Sequence, residues 1–278
     1  SGRTPNPCVA CNDHVKFAPL MERTRALGAD LLVTGHYARI VEAEGGLCTL
    51  RQGIDPHKDQ SYFLFGVKQD VLKMTRFPLG DMDKDAVRDK ARDIGLPNWD
   101  KADSEDICFV PKGNYADVVE QIVGADRVPQ PGRIVHVNGE ELGQHSGVHR
   151  YTVGQRKGLG VASPDRLYVL GVDPEQDIVT VGPRETLEVT GLRTERCHWI
   201  SGVVPEASIM SRVKIRYRHP GEMAEVLANG DRAIVRFEAP QQGVAPGQAA
   251  VFYDGDVVLG GGWIESTVSL QSSAGETA

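Results

Sequence analysis

The chain has 278 residues, 40% hydrophobic and 25% charged, with a formal net charge of −7. That is ample apolar material for more than one globular domain, and the acidic balance leaves any polyanion contact to local basic patches. No apolar run approaches the roughly 20 residues of a spanning helix, no signal-peptide pattern opens the chain, and five cysteines without a disulfide-framework spacing favour a reducing cytoplasm.

The first residues, Ser1-Gly-Arg-Thr-Pro, lack a methionine and read as the middle of a loop in a longer protein. In Thr4-Pro-Asn-Pro-Cys-Val-Ala-Cys-Asn12 two prolines bracket Asn6 and push Thr4 and Asn6 towards extended conformations, which predicts a stiff loop. Cys8 and Cys11 follow in C-x-x-C spacing, close enough to share a disulfide, a metal or a cluster. His14 and Lys16 come within a turn or two, and cationic neighbours raise a thiol's thiolate fraction. Burial as plain core residues is the competing reading. An X-Pro-X-Pro loop is a poor place for it.

Phe17, Leu20, Thr24 and Leu27 fall at helical spacing, with Gly28 as the stop. Asp30 to Gly35 reads as a buried strand running into Gly35-His36-Tyr37. At the carboxyl end of a parallel strand Gly35 and His36 are placed to touch a ligand, against the plainer readings of a turn glycine and a hydrogen-bonded surface histidine. Residues 38–52 read as a hairpin around Gly45-Gly46, with Cys48 in its core. Asp59 is placed as the N-cap of an aromatic helix start, so that Lys58 and Gln60 flank a natural phosphate site. A helix from Asp81 to Gly95, capped by Asp81, presents Val87, Ala91 and Ile94 on one face. Asp100, Asp103, Glu105 and Asp106 then precede Ile107-Cys-Phe-Val, a short strand pattern holding Cys108. Carboxylates beside a thiol raise its pKa, so Cys108 is a sluggish nucleophile unless cations arrive from elsewhere or it is handed a persulfide, and alone it reads as core.

Beyond Pro111 glycine, proline and alternating apolar runs predict a β-rich region, entered through a helix over 114–123. The basic loop His149 to Gly160 is either a solvated hairpin or a weak phosphate contact. A third region, from near Leu192, reads as a small antiparallel barrel or sandwich. In it Arg212, Lys214, Arg216 and Arg218 alternate with apolar residues, so a strand sets four cations on one face, favouring a polyanion contact. Cys197 and His198 point to opposite faces and do not share a metal. Gly260-Gly-Gly262 closes the region.

Gly2-Arg-Thr-Pro-Asn-Pro with Cys11-Asn12, Thr34-Gly-His-Tyr-Ala-Arg39, Lys58-Asp-Gln-Ser-Tyr-Phe63, Ile107-Cys-Phe109, Gly154-Gln-Arg-Lys-Gly-Leu-Gly160 and Pro246-Gly-Gln-Ala-Ala-Val-Phe-Tyr253 together resemble the bacterial tRNA-specific 2-thiouridylases, in order and over nearly the whole chain. The resemblance implies an α/β fold, the remainder of an adenine-nucleotide alpha-hydrolase-like PP-loop domain over 1–112, then a central β-rich tRNA-binding domain over 113–188, a C-terminal antiparallel β-barrel over 189–268 and a disordered tail over 269–278. It implies ATP-dependent sulfur transfer to C2 of the wobble uridine of the tRNAs for Lys, Glu and Gln, with Mg²⁺, a sulfur-relay or cysteine desulfurase donor, no membrane and a cytoplasmic location. Carried over by position, Cys108 holds the persulfide and Cys11 ends in a disulfide with it. Asn6, Pro7 and Cys8 lie against the target base, and Gly35 contributes backbone to the ATP site. His36, Lys58, Asp59, Gln60, Arg216, Tyr217 and Gln248 contact tRNA.

Two departures stand out. The Ser-Gly-Gly-x-Asp-Ser phosphate loop of the family is absent, so this stretch alone is not expected to adenylate uridine. Cys8 stands where many members carry an aspartate proposed as acid/base, and the swap gathers Cys8, Cys11 and Cys108 into a possible three-thiolate iron–sulfur ligand set. The rival readings are a tRNA-binding fragment without catalysis and a thiol–disulfide oxidoreductase using Cys8 and Cys11. Against the latter, prolines precede the C-x-x-C where a thioredoxin-like motif opens a helix after a strand.

Overall fold

A computed structural model describes residues 2–102, 110, 115–124 and 127–268. The expected strand around Cys108 and the expected disordered tail lie outside the described residues. Asn6 starts helix α1 (Pro7–Ala10), which runs through a π-helical segment, Cys11–Phe17, into α2 (Ala18–Ala26). Pro19 has no N–H to give to Val15 and its ring would strike that carbonyl in an α-helix, which accounts for the widened turn. Gly28, at φ +65°, ends the run. The inward face is Val9, Phe17, Met21 and Thr24, while Leu20 and Leu27, expected inside, are exposed. The buried face follows i+4 and i+7 from Phe17, at Met21 and Thr24, and leaves Leu20 and Leu27 outside it.

Strand β1 (Leu32–Val33) is much shorter than the predicted buried strand, and Val33 is 61% exposed. The hairpin of β2 (Ala38–Glu42) and β3 (Cys48–Gln52) matches expectation, with positive φ at Gly45 and Gly46. A single 3₁₀ turn, Ser61–Leu64, and α3 (Gln69–Lys73) lead to β4 (Thr75–Arg76), which pairs in parallel with β1. Helix α4 (Lys84–Asp93) is capped by Asp83, whose Oδ1 accepts from Ala86 N at 2.7 Å, and not by Asp81. Both aspartates suit the position, and only Asp83 sits three residues before a free N–H.

Helix α5 (Tyr115–Val123) leads to a four-stranded sheet of β5 (Gly132–His136), β6 (Glu141–His145), β7 (Tyr168–Asp173) and β8 (Ile178–Gly182) in the order β6-β5-β8-β7. Ile134, Val169, Val179 and Val181 fill its core. The remaining strands are β9 (Val189–Trp199), β10 (Ile209–Lys214), β11 (Glu222–Asn229), β12 (Arg232–Gln241), β13 (Ala249–Asp254) and β14 (Val257–Val268). They run β13-β10-β11-β12-β9-β14, and β14 pairs back onto β13, closing a six-stranded antiparallel barrel around Leu192, Val213, Val226, Val235, Phe252 and Ile264. The α/β, β-rich and barrel sequence of architectures is therefore the expected one.

The first and last regions share a sheet. Leu50 and Arg51 of β3 pair with Val258 and Val257 of β14, and one core holds Val9, Leu50, Tyr62 and Phe65 together with Ala249, Val251 and Tyr253. Burying each of these large side chains is worth on the order of 2 kcal/mol. The three glycines 260–262 lie inside β14 instead of ending the region. A Cβ on Gly261 would stand 2.8 Å from the Phe65 ring and 2.7 Å from Ala250 O, so glycine lets the Phe65 ring rest on the barrel wall.

Candidate active site

The C-x-x-C pair does open a helix. Pro7 takes the first helical position, where no N–H is needed, and Asn6 accepts from Val9 N at 3.4 Å as its cap. The proline argument against a redox-type placement is thereby corrected, although residues 2–6 preceding the helix form no strand. Cys8 and Cys11 are half-buried and about one helical turn apart, while Val9 and Phe17 face the core. His14 and Lys16 are exposed. Cys108, the third thiol of the expected constellation, lies outside the described residues. Among the described residues no group of three His, Cys, Asp or Glu side chains is arranged to hold a metal ion.

The loop before the helix is gripped by the barrel. Gln248 Nε2 donates to Thr4 O at 3.3 Å and to Pro5 O at 3.1 Å, Thr4 N donates to Pro246 O at 2.8 Å, and Arg3 pairs with Glu195 at 2.6 Å. Gly247 has φ +90°, and a Cβ there would stand 2.7 Å from Thr4 O. The expected tRNA contact Gln248 is thus engaged with the loop that carries Asn6, Pro7 and Cys8.

His36 is not at the surface. It is 9% exposed, stacked on Phe17 at 5.7 Å and against the edge of Phe77 at 5.5 Å. Its Nδ1 meets Thr34 Oγ1 at 2.8 Å and its Nε2 meets Asn12 Oδ1 at 3.3 Å, while Asn12 Nδ2 donates to Phe63 O at 3.1 Å. Burial first, and the Lys16 charge second, lower its pKa to about 4. A ligand-facing or solvent-facing histidine was expected. The aromatic residues on both sides of it, Phe17 and Phe77, make it core instead. Gly35, beside it, is exposed just beyond the carboxyl end of β1.

Asp59 is also inside, 3% exposed. Its carboxylate accepts from Gly53 N, Ser61 N, Ser61 Oγ and Gln52 Nε2, all at 2.9–3.1 Å. The segment after it is one 3₁₀ turn with Gln60 before it, so the expected capped helix and its phosphate site are replaced by a carboxylate-centred loop. Gln60 Oε1 accepts from Tyr37 N, and Lys58 is half-buried.

The expected row of four cations is split. Strand β10 ends at Lys214, so only Arg212 and Lys214 share its face, both over the Tyr253 ring, and Arg212 is bonded to Gln52 and Gly255 O. Arg216 and Arg218 lie exposed in the turn that follows. Tyr217 stacks at 4.5 Å on Phe63, next to Tyr62, whose hydroxyl donates to Ala249 O at 2.9 Å and bonds the Asn6 side chain. The fold therefore draws Asn6, Cys8, Cys11, Tyr217 and Gln248 around one junction, with His36 and Asp59 beneath it. Asp13 was missed in the sequence. Its carboxylate lies against Gly66, where a Cβ would stand 2.9 Å from Oδ2, Oδ1 has no hydrogen-bond partner among the described residues, and burial raises its pKa. An acidic residue one place past a C-x-x-C-N run was the available signal.

A HUP-type α/β region whose cysteine helix is held by a closed β-barrel, with a small β module between, defines the class. The family described as the tRNA methyl transferase HUP domain matches residues 1–112, the tRNA methyl transferase PRC-barrel domain matches 117–183, and the aminomethyltransferase beta-barrel domain matches 189–264. Among curated relatives, tRNA-specific 2-thiouridylase MnmA of Geotalea uraniireducens (strain Rf4) is 50% identical over 273 residues, covering 98% of this chain and 72% of its own. The enzyme of the same name from Syntrophotalea carbinolica is 51% identical over 265 residues, covering 95% and 74%, and that from Rickettsia bellii (strain OSU 85-389) is 46% identical over 269 residues, covering 96% and 72%. The chain belongs to the tRNA-specific 2-thiouridylase family.

Proposed function

We propose that this chain works as a tRNA-uridine 2-sulfurtransferase, thiolating C2 of the wobble uridine in the tRNAs for Lys, Glu and Gln. The observation that carries the reading is the match over 98% of the chain to an enzyme of that name. The grip of Gln248 and Pro246 on the Thr4-Pro5 loop supports it, because it fixes two accessible thiols in a rigid setting at a domain junction. ATP, with Mg²⁺, supplies the adenyl group that turns uridine O2 into a leaving group, and Gly35 lines the nucleotide.

Asn6, Pro7 and Cys8 rim the target base. The terminal sulfur of a Cys108 persulfide, charged by a sulfur-relay or desulfurase donor, bonds to C2. The Cys11 thiolate then attacks the Cys108 sulfur, the sulfur–sulfur bond of the persulfide breaks, AMP departs with O2, and a Cys11–Cys108 disulfide remains. Lys58, Arg216 and Tyr217 contact the tRNA from the junction's rim. Gln60 with Asp59 shapes the Lys58 loop from within, and His36 holds Asn12, hence Cys11, from below. Nothing among the described residues favours a cluster held by Cys8, Cys11 and Cys108 over this persulfide route.

The test is mass spectrometry of nucleosides from unmodified tRNA incubated with ATP, Mg²⁺, a persulfide donor and the protein completed with the family's phosphate loop. The expected result is 2-thiouridine, lost in Cys11→Ser and in Cys108→Ser. Tight tRNA binding without any 2-thiouridine would move the assignment to a binding role.

A further inference from the structure

The β2–β3 hairpin and the end of α3 bound a cavity of about 530 Å³, lined by Ile40, Glu42, Gly46, Cys48, Lys73 and Arg76. None of these six belongs to the junction of Asn6, Cys8, Cys11, Tyr217 and Gln248, and the sulfur chemistry uses none of them. Its floor is apolar. Glu42 stands opposite Cys48 in the β2–β3 pairing, Ile40 lies two residues away on the same face of the hairpin and packs on the core, and Cys48 is buried.

The rim carries both signs of charge, unmatched. Glu42, Lys73 and Arg76 are exposed, and among the described residues none of the three has an ion pair. Two arginines of the same hairpin, Arg39 and Arg51, are by contrast both paired to Asp256. All three rim charges act on the thiol between them. Burial first, and the Glu42 charge second, raise the Cys48 pKa, while Arg76 and Lys73 pull it down. Opposite charges therefore share one cavity without bonding each other.

The cavity keeps its shape without an occupant. Gln69 Oε1 accepts from Cys48 N at 2.9 Å, and its Nε2 donates to Cys48 O and Ile200 O, both at 2.7 Å. Arg76 Nη1 donates to Lys73 O at 3.0 Å and to Thr75 O at 2.8 Å, which fixes the guanidinium and leaves its Nε and Nη2 without partners among the described residues. A preformed site loses little freedom on binding.

We propose that this cavity binds a free α-amino acid with an apolar side chain. Lys73 and Arg76 take its carboxylate, Glu42 takes its ammonium group, and Ile40 and Cys48 receive the side chain. A guanidinium offers a carboxylate paired N–H donors. A simple anion would sit beside Glu42 with that charge unanswered, and the backbone inside a peptide brings no charge at all. An unblocked amino acid answers both signs at once. The volume falls within the range of about 300–1,000 Å³ usual for small-molecule sites.

The test is saturation-transfer NMR on the protein with an equimolar mixture of the twenty amino acids, followed by calorimetry with L-leucine, N-acetyl-L-leucine and L-leucine amide. Wild type is compared with E42Q, K73Q and R76K. Glu42 and Lys73 are exposed and unpaired, so the first two variants fold, and R76K keeps the charge while removing the fork. Saturation transfer to leucine and other apolar amino acids is expected, with both blocked forms, E42Q and K73Q each weakening binding about tenfold. Transfer to none of the twenty overturns the proposal, as does leucine binding that is equal in wild type, E42Q and K73Q. N-acetyl-L-leucine binding as tightly as leucine would make this a plain anion site and overturn it too. No outcome involves tRNA, so failure here leaves the sulfurtransferase reading standing.

Discussion

The imidazole of His36 and the side chain of Asn12 are joined at 3.3 Å, and this bond ties the turn after β1 to the helix that carries both cysteines. Because Asn12 Nδ2 donates to Phe63 O, its Oδ1 faces His36 as an acceptor, so Nε2 carries the proton and Nδ1 accepts from the Thr34 hydroxyl. One neutral tautomer satisfies all three bonds. A protonated ring would lose the bond at Nδ1 unless the Thr34 hydroxyl turned.

That neutrality makes stability depend on pH. With a folded pKa of about 4 against an unfolded value near 6.5, the unfolded chain binds the extra proton first as the solution is acidified. The contribution of His36 is fully present above about pH 6.5 and is lost as pH falls towards about 4, at most about 3 kcal/mol. His219, lowered to about 4 chiefly by burial, acts in the same direction. Urea midpoints measured from neutral pH down to about pH 5 should fall, and His36→Gln should flatten that fall. An equally steep fall in the variant would remove His36 as a cause.

The four described thiols should separate by reactivity. Cys8 and Cys11 are half-buried, Cys48 is buried with its pKa raised, and Cys197 is pushed up to about 11 by burial, its thiol bonded to Thr194 Oγ1. At about pH 8 only on the order of one Cys197 in a thousand is thiolate. Iodoacetamide followed by peptide mass spectrometry should mark Cys8 and Cys11 at least about tenfold faster than Cys197. Comparable rates would mean that the strand around Cys197 opens.

Gln248→Ala removes two bonds to the Thr4-Pro5 loop and should cost about 1 kcal/mol, since each half-exposed hydrogen bond contributes modestly. Gly247→Ala should cost more, because it adds both a left-handed strain and a Cβ against Thr4 O. Thermal unfolding orders the pair. Proteolysis at residues 3–6, accelerated in both variants, would locate the damage, and cleavage no faster than in wild type would show that the loop is held by other means.

Gly261→Val places its side chain in the space of the Phe65 ring and should destabilise by about 1–3 kcal/mol. Phe65→Ala leaves a cavity and should cost about 3–5 kcal/mol. Combined, the two should cost less than their sum, because the clash with the ring disappears while only that with Ala250 O remains. Strict additivity in denaturant titrations would show that the two do not touch in solution.

Much of this architecture was legible from local chemistry. Gly28, Gly45 and Gly95 stop or turn the chain where left-handed backbone is required, and alternation marks the barrel strands. Residue identity also pointed to the C-x-x-C run as a site. What failed depended on partners distant in sequence. His36 looked like a ligand residue because nothing nearby reveals that Phe17 and Phe77 enclose it. Asp59 looked like a helix cap because its donors Gly53 and Gln52 belong to the hairpin and its neighbours Ser61 and Tyr253 join only in the folded core. Arg216 and Arg218 continued a strand pattern that the turn after Lys214 interrupts.

The pairing of β3 with β14 bears on how the protein is made. Leu50 finds its partner Val258 more than two hundred residues later, and the core around Val9 and Tyr62 includes Ala249, Val251 and Tyr253. On a ribosome the cysteine helix therefore emerges long before the strands that bury its inner face, leaving apolar surface uncovered until β13 and β14 have been made. Chains released before β13 would lack that cover and be exposed to proteases and chaperones.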